Sequence, residues 1–138
     1  MMHACKLVAD LALFQNDKVF LVKYKDTNKY DHQLGWFLPD DLLSNFEHPD
    51  SAAKRISVEQ LGVALNTLKL SFIESFKGND QSWHLVFHFK SILKENSKIK
   101  LSNDIEEAKW FGIDDLPKME SVAHHGWALN VISKMIKG

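Results

Sequence analysis

Ile56, Glu59 and Gln60 stand at i, i+3 and i+4 in the stretch SAAKRISVEQLGV, a spacing that gathers side chains on one face of a helix. A hydrocarbon, a carboxylate and a neutral amide make an uneven set for chemistry. A hard cation such as magnesium takes oxygen ligands, usually one or two carboxylates, with water and phosphate completing the shell. Glu59 supplies one anion and Gln60 one uncharged oxygen, whereas Ile56 can neither hold an ion nor accept a proton. Upstream, Asp40 and Asp41 follow Pro39 and bring two further carboxylates. They read either as oxygen donors that make up for those missing from the helix or as turn residues, because aspartate tolerates left-handed backbone better than most.

Other residues could hold a ligand. Lys and Arg total 17, and Arg55 is the single arginine; its planar fork suits phosphate or a carboxylate partner. His84 and His88 share one face of a strand, His124 and His125 precede the last helix, and histidine titrates near neutrality. His88 is a candidate substrate contact, and surface or structural roles compete with that reading for all four. Trp36, Phe37, Trp83 and Phe87 could stack on a flat ring, although alternating aromatics in a sheet also make a core. Glu106 and Glu107 lie just before Trp110 and read as acidic ligands or as plain surface charge.

The elements that must position these groups are legible from periodicity. KLVADLALF at 6–14 and KVFLVKY at 18–24 read as strands about a turn at Asn16-Asp17. The polar segment 25–34 reads as a loop, and Trp36, Phe37 and Leu38 as a short strand stopped by Pro39. A helix starts near Pro49, since proline is favoured at the first helical position. Asp50 suits the dipole at its start, and Gly62 fits the residue just past its end. Ala52, Ala53, Ser57 and Leu61 form its core stripe, which Ile56 widens. Strands follow at 66–76, 83–92 and 108–112. An amphipathic helix closes the chain at 120–137, with Val122, Trp127, Val131, Met135 and Ile136 on its apolar side. Strands, one helix, more strands and a final helix imply an α+β sandwich with helices packed on a mixed sheet.

The chain of 138 residues suits a single domain, 1–138. A net charge of −1 gives no basic field to gather nucleic acid or an anionic membrane. No apolar run approaches the roughly 20 residues of a membrane helix, and MMHACKLVADLALF, interrupted by Asp10, lacks a signal-peptide layout. Cys5 is the only cysteine, so an internal disulfide is excluded and a cytoplasmic location is expected.

Residues 41–63 resemble the Nudix hydrolase signature, G-x5-E-x7-R-E-U-x-E-E-x-G-U, with U a bulky apolar residue. Glu47 matches its first glutamate, Arg55 its arginine, Glu59 the first of the paired glutamates, and Gly62-Val63 its end. Trp36, Leu38 and Pro39 resemble the segment that introduces it, and Trp110-Phe111 followed by Asp114-Asp115-Leu116-Pro117 resembles a later one. The departures fall at functional places. Asp40 and Asp41 stand for glycines, Ile56 and Gln60 for glutamates, and Ser57 for an apolar residue. One subgroup, the GDP-mannose mannosyl hydrolases, is similar in having an apolar residue at the place of Ile56. Its loop histidine, however, falls here on Ile105.

The resemblance implies an α/β/α Nudix sandwich acting on a nucleoside diphosphate linked to another moiety, with a nucleotide sugar as one candidate. It implies magnesium or manganese as cofactor, weakly bound if at all, with Glu59 as catalytic residue and metal ligand beside Gln60; Asp40 and Asp41, where the family has glycines, complete the candidate metal set by replacing carboxylates lost from the helix. Asp40 lies close to where a family backbone carbonyl meets the metal. Trp36, Arg55 and His88 are the substrate-binding candidates, although the resemblance also implies a structural ion pair between Arg55 and Glu47. Many relatives form dimers, so a homodimer is implied. With so few helix carboxylates, two functions are expected to compete: a weak hydrolase, or an inactive module binding a nucleotide or an ADP-ribose-type ligand.

Overall fold

Strand β1 (Cys5–Gln15) is the strand on which the sheet is assembled. At Asn16 the chain takes φ 49°, a left-handed conformation asparagine accepts readily, and returns antiparallel as β2 (Lys18–Tyr24). On its other side β1 runs parallel to β5 (Trp83–Ile92), in register from Cys5–Trp83 to Phe14–Ile92. With β4 (Lys69–Lys77) and β6 (Ile105–Gly112) the strand order is β4-β5-β1-β2-β6. A short strand, β3 (Asp40–Leu42), also pairs with β1. The computed structural model describes residues 5–27 and 33–137. The expected loop at 25–34 therefore lies partly outside the described residues.

Side chains alternate across a strand, so each face of this mixed sheet acquires its own cover. Ala9, Leu11, Leu13, Phe20, Val22 and Phe89 pack with Ala52, Ala53, Ile56 and Leu61 on one side. These last belong to α1 (Pro49–Ile56) and the turn that continues it. Ala12, Val19, Leu21 and Phe111 pack on the other side with Ala128, Val131, Ile132 and Met135, all from α2 (Ala123–Lys137). This is the expected α+β sandwich.

Three local expectations are corrected. The short strand expected at Trp36–Leu38 does not form. Trp36 and Phe37 make only isolated bridges, to Val122 and Val22, and regular pairing begins at Asp40. The first helix does not stay α-helical to Gly62: from Ser57 to Leu61 it widens into a π turn before Gly62, at φ 67°, ends it. The wide turn puts Ile56 and Gln60 inward and leaves Glu59 outward, so the three residues do not share an environment. The closing helix is interrupted near its start by left-handed residues His124, His125 and Gly126, at φ 54°, 57° and 86°. A Cβ on Gly126 would meet Met119 Cγ at 2.7 Å, which ties that bend to glycine. Ile136, expected on the apolar side, is 52% exposed, and Ile132 takes its place in the core.

Ile56 is wholly buried, so it is a packing residue in the position of a family carboxylate. Ile56→Ala is expected to lower unfolding free energy by about 3 kcal/mol in urea titration, the usual cost of a large core truncation. Glu59→Ala at the exposed position should stay within about 0.5 kcal/mol. Equal effects of the two substitutions would overturn this assignment.

Candidate ligand and metal site

Arg55 is consumed by the protein. Its Nε donates to Glu47 Oε2 at 3.0 Å and its Nη2 to Glu47 Oε1 at 3.1 Å, a bidentate pair. Nη1 donates to Asp41 Oδ2 at 2.9 Å, and Nη2 also reaches the Leu42 carbonyl at 2.9 Å. The Arg55 hydrogen bond holds Glu47 below its usual carboxylate pKa, and Glu47 in turn raises that of Arg55. The guanidinium thus ties β3 and the following loop to α1, as the implied Glu47 pair required. Its expected role as a substrate contact is corrected, because every nitrogen already serves a protein acceptor.

Asp41 is corrected for the same reason. The pairing of β3 with β1 sets Asp41 opposite Ala9 and Asp40 opposite Asp10. Directly paired residues lie on the same face of a sheet, so Asp41 falls on the α1 side, where it meets Arg55.

Gln60 is 8% exposed and makes a different connection. Its Oε1 accepts a hydrogen bond from the Tyr24 hydroxyl at 2.7 Å, and its Nε2 donates to the Asp40 carbonyl at 2.9 Å. The Asp40 N–H donates to the same Tyr24 hydroxyl at 3.0 Å. An amide can do this because it carries both a donor and an acceptor; an ionised carboxylate only accepts. The Asp40 carbonyl, close to where the family resemblance places a cation, is therefore met by an N–H.

Apart from the buried Asp40 carboxylate, the residues present do not fit a magnesium or manganese ion. Ile56 is buried hydrocarbon, the Gln60 oxygen is taken by Tyr24, and Asp41 is paired with Arg55. Glu59 keeps 62% side-chain exposure and lies 3.5 Å from Arg55 Nη1. Among the described residues no group of three or more His, Cys, Asp or Glu is arranged to hold a metal ion.

A cavity of about 480 Å³ opens between β3, the β4–β5 ends and the left-handed bend near the start of α2. Its wall includes Phe37, Phe76, His84, His124 and Trp127, with Glu74 among them. Phe76 stacks on His84 with centroids 5.1 Å apart and meets Trp127 edge-on at 6.0 Å. Trp36 and His88 do not line this cavity. Trp36 is 6% exposed and packs edge-on against Phe111 at 4.9 Å, so it is a core residue. His88 is wholly buried, with Nδ1 at 2.8 Å from both Asp10 oxygens and Nε2 at 2.7 Å from Glu74 Oε1. Burial works against a charged imidazole, yet the hydrogen bonds and charges of Asp10 and Glu74 outweigh it and raise the His88 pKa. Burial likewise pushes the Asp10 carboxyl up. Glu106 and Glu107 are exposed, and Glu107 lies 3.5 Å from Lys23.

Sequence reasoning missed Tyr24, Asp10 and Glu74. Asp10 carried a signal, a charge inside an otherwise apolar strand, but its partner His88 lies 78 residues away. Tyr24 reads from its pattern as one more alternating strand residue.

The NUDIX domain family model matches residues 6–130, and the chain belongs to that family. No curated protein sequence matches it. Among solved structures, a MutT NUDIX hydrolase from Burkholderia pseudomallei is 18% identical, covering 94% of this chain and 97% of its own, with TM-score 0.79. The NUDIX domain of Shewanella oneidensis NrtR, solved in complex with ADP ribose, is 17% identical over 99% of this chain and 89% of its own, with TM-score 0.79. A C. elegans Ap4A hydrolase, solved as a binary complex, is 17% identical over 96% and 98%, with TM-score 0.72. Among the described residues no helix is long and apolar enough to cross a membrane.

Gln60→Glu removes the donor to the Asp40 carbonyl and sets an anion against it. In EDTA the variant is expected to lose about 1–3 kcal/mol, the range for an unsatisfied buried polar group. Millimolar manganese should raise the variant's melting temperature and leave the wild type unmoved. A comparable rise in the wild type would contradict the misfit.

Proposed function

We propose that this Nudix domain binds a nucleotide-type ligand, a nucleoside diphosphate linked to another moiety, and does not hydrolyse it by the family's metal-dependent route. The observation that carries the reading is the 2.9 Å hydrogen bond from Gln60 Nε2 to the Asp40 carbonyl. An N–H donor and a cation compete for the same lone pairs, and the carboxylates that would favour the cation are absent from Ile56 and Gln60. The cavity supports retention of binding, since its aromatic walls offer ring faces of the kind that stack on a base. The fold-similar NrtR domain was solved with ADP ribose, which makes ADP-ribose the natural first probe.

Attack at a sugar carbon, the route of the GDP-mannose mannosyl hydrolases that the sequence resembles, finds no base at the corresponding place. Ile105 stands there, 5% exposed within β6. A nucleotide sugar is accordingly treated as a ligand rather than a substrate.

Isothermal titration with ADP-ribose and GDP-mannose, each in EDTA and in magnesium, tests this together with chromatography of the recovered ligand. Binding of at least one probe, with affinity independent of magnesium and ligand recovered intact, is the expected result. Magnesium-dependent turnover that disappears in Glu59→Gln would establish the weak hydrolase instead.

A further inference from the structure

The register of β4 against β5 slips between Leu70 and Phe72, after which Phe72 faces His88, Glu74 faces Val86 and Phe76 faces His84. The parallel partner β1 sets Asp10 beside His88 and Val8 beside Val86. The bulge thus delivers Glu74 to the same face as Asp10 and His88, on the side covered by α2. There Glu74 Oε1 accepts two hydrogen bonds, from His88 Nε2 at 2.7 Å and from Trp127 Nε1 at 2.8 Å. Both nitrogens of His88 face carboxylates, and its raised pKa favours the doubly protonated ring, which donates to both.

Stability alone does not account for this chain. Well-packed apolar residues in place of a buried ion triad are often neutral or stabilising, and Asp10 and His88 are almost wholly enclosed. What the chain achieves is position. The outer carboxylate, 27% exposed, is held from behind by two donors on one oxygen and lies in the wall of the cavity. Among the described residues Oε2 receives no hydrogen bond. A carboxylate oxygen only accepts, so its complement is a donor, and a phosphate or carboxylate is repelled. Phe76 and Trp127 flank the position with ring surfaces, which favours a donor carried on a flat ring.

We propose that Glu74 is the specificity-determining group of the cavity, accepting a hydrogen bond from an N–H donor on the edge of a ligand's heteroaromatic ring. His88, with Asp10 behind it, is a positioning residue for Glu74. The inference rests on the nucleotide-binding reading.

The test compares the 5′-monophosphates of adenosine, inosine and unsubstituted purine riboside by calorimetric titration of the wild-type chain. The first two bases carry an amino or ring N–H donor on the edge where the third has none. They are expected to bind about tenfold tighter or better, the scale set by a hydrogen bond to a charged acceptor. Glu74→Gln, which turns an N–H₂ toward the cavity, should bring the ratio near one while purine riboside monophosphate still binds. Equal affinities in the wild type, a ratio unchanged in the variant, or no binding of the three where ADP-ribose binds, each overturns the proposal and leaves the nucleotide reading standing. No binding of ADP-ribose, GDP-mannose or any monophosphate removes both. Should the variant fail to fold, the wild-type ratio decides alone.

Discussion

The Gln60 amide is the contact on which this molecule's chemistry turns. It joins three elements with two hydrogen bonds: the end of the first helix, the Tyr24 hydroxyl at the end of β2, and the Asp40 carbonyl at the start of β3. An ionised glutamate in its place would meet that carbonyl oxygen to oxygen, which a cation or a proton between them would relieve. An amide meets it with an N–H and needs no ion. Around this point the fold has closed up consistently. Ile56 is sealed into the core, and the widened turn carries Glu59 out to solvent. The Arg55 network clamps β3 to the helix through Glu47, Asp41 and a backbone carbonyl. Loop and helix are held together by groups that are all present in the chain itself.

The tie and the ligand cavity meet at β3, whose Asp40, Asp41 and Leu42 also lie in the cavity wall. Strand alternation sends Asp41 to the α1 side, where it is neutralised by Arg55. It sends Glu74, Val86 and Phe76 to the α2 side, where the cavity forms. Polar groups on that second side depend on long-range pairing. The parallel register of β1 and β5 makes the Asp10–His88 pair, and one bulge in β4 brings in Glu74. The left-handed bend at His124–Gly126 then swings Trp127 into place to donate to that carboxylate.

Much of this was legible in the sequence. The strand and helix order, the turn at Asn16 and the stop at Gly62 follow from local pattern, and the Arg55–Glu47 pair was implied by the family resemblance. The shared face of His84, Val86 and His88 follows from alternation. What escaped were features set by distant partners or by broken periodicity. Counting at 3.6 residues per turn placed Ile56, Glu59 and Gln60 together, and a π turn undid that count from Ser57 onward. Alternation gives a face but not its cover, so Trp36 read as a surface for stacking when Phe111 and α2 enclose it. Gln60 and Asp40 were weighed as ion ligands because nothing local reveals that they bond to each other and to Tyr24.

The most direct test is anomalous diffraction from a crystal soaked in millimolar manganese. The account predicts no ordered ion within bonding distance of Glu59, Gln60 Oε1 or the Asp40 carbonyl, with the Gln60–Asp40 hydrogen bond intact. A fully occupied ion bonded to Glu59 and that carbonyl, with the Gln60 amide displaced, would contradict it.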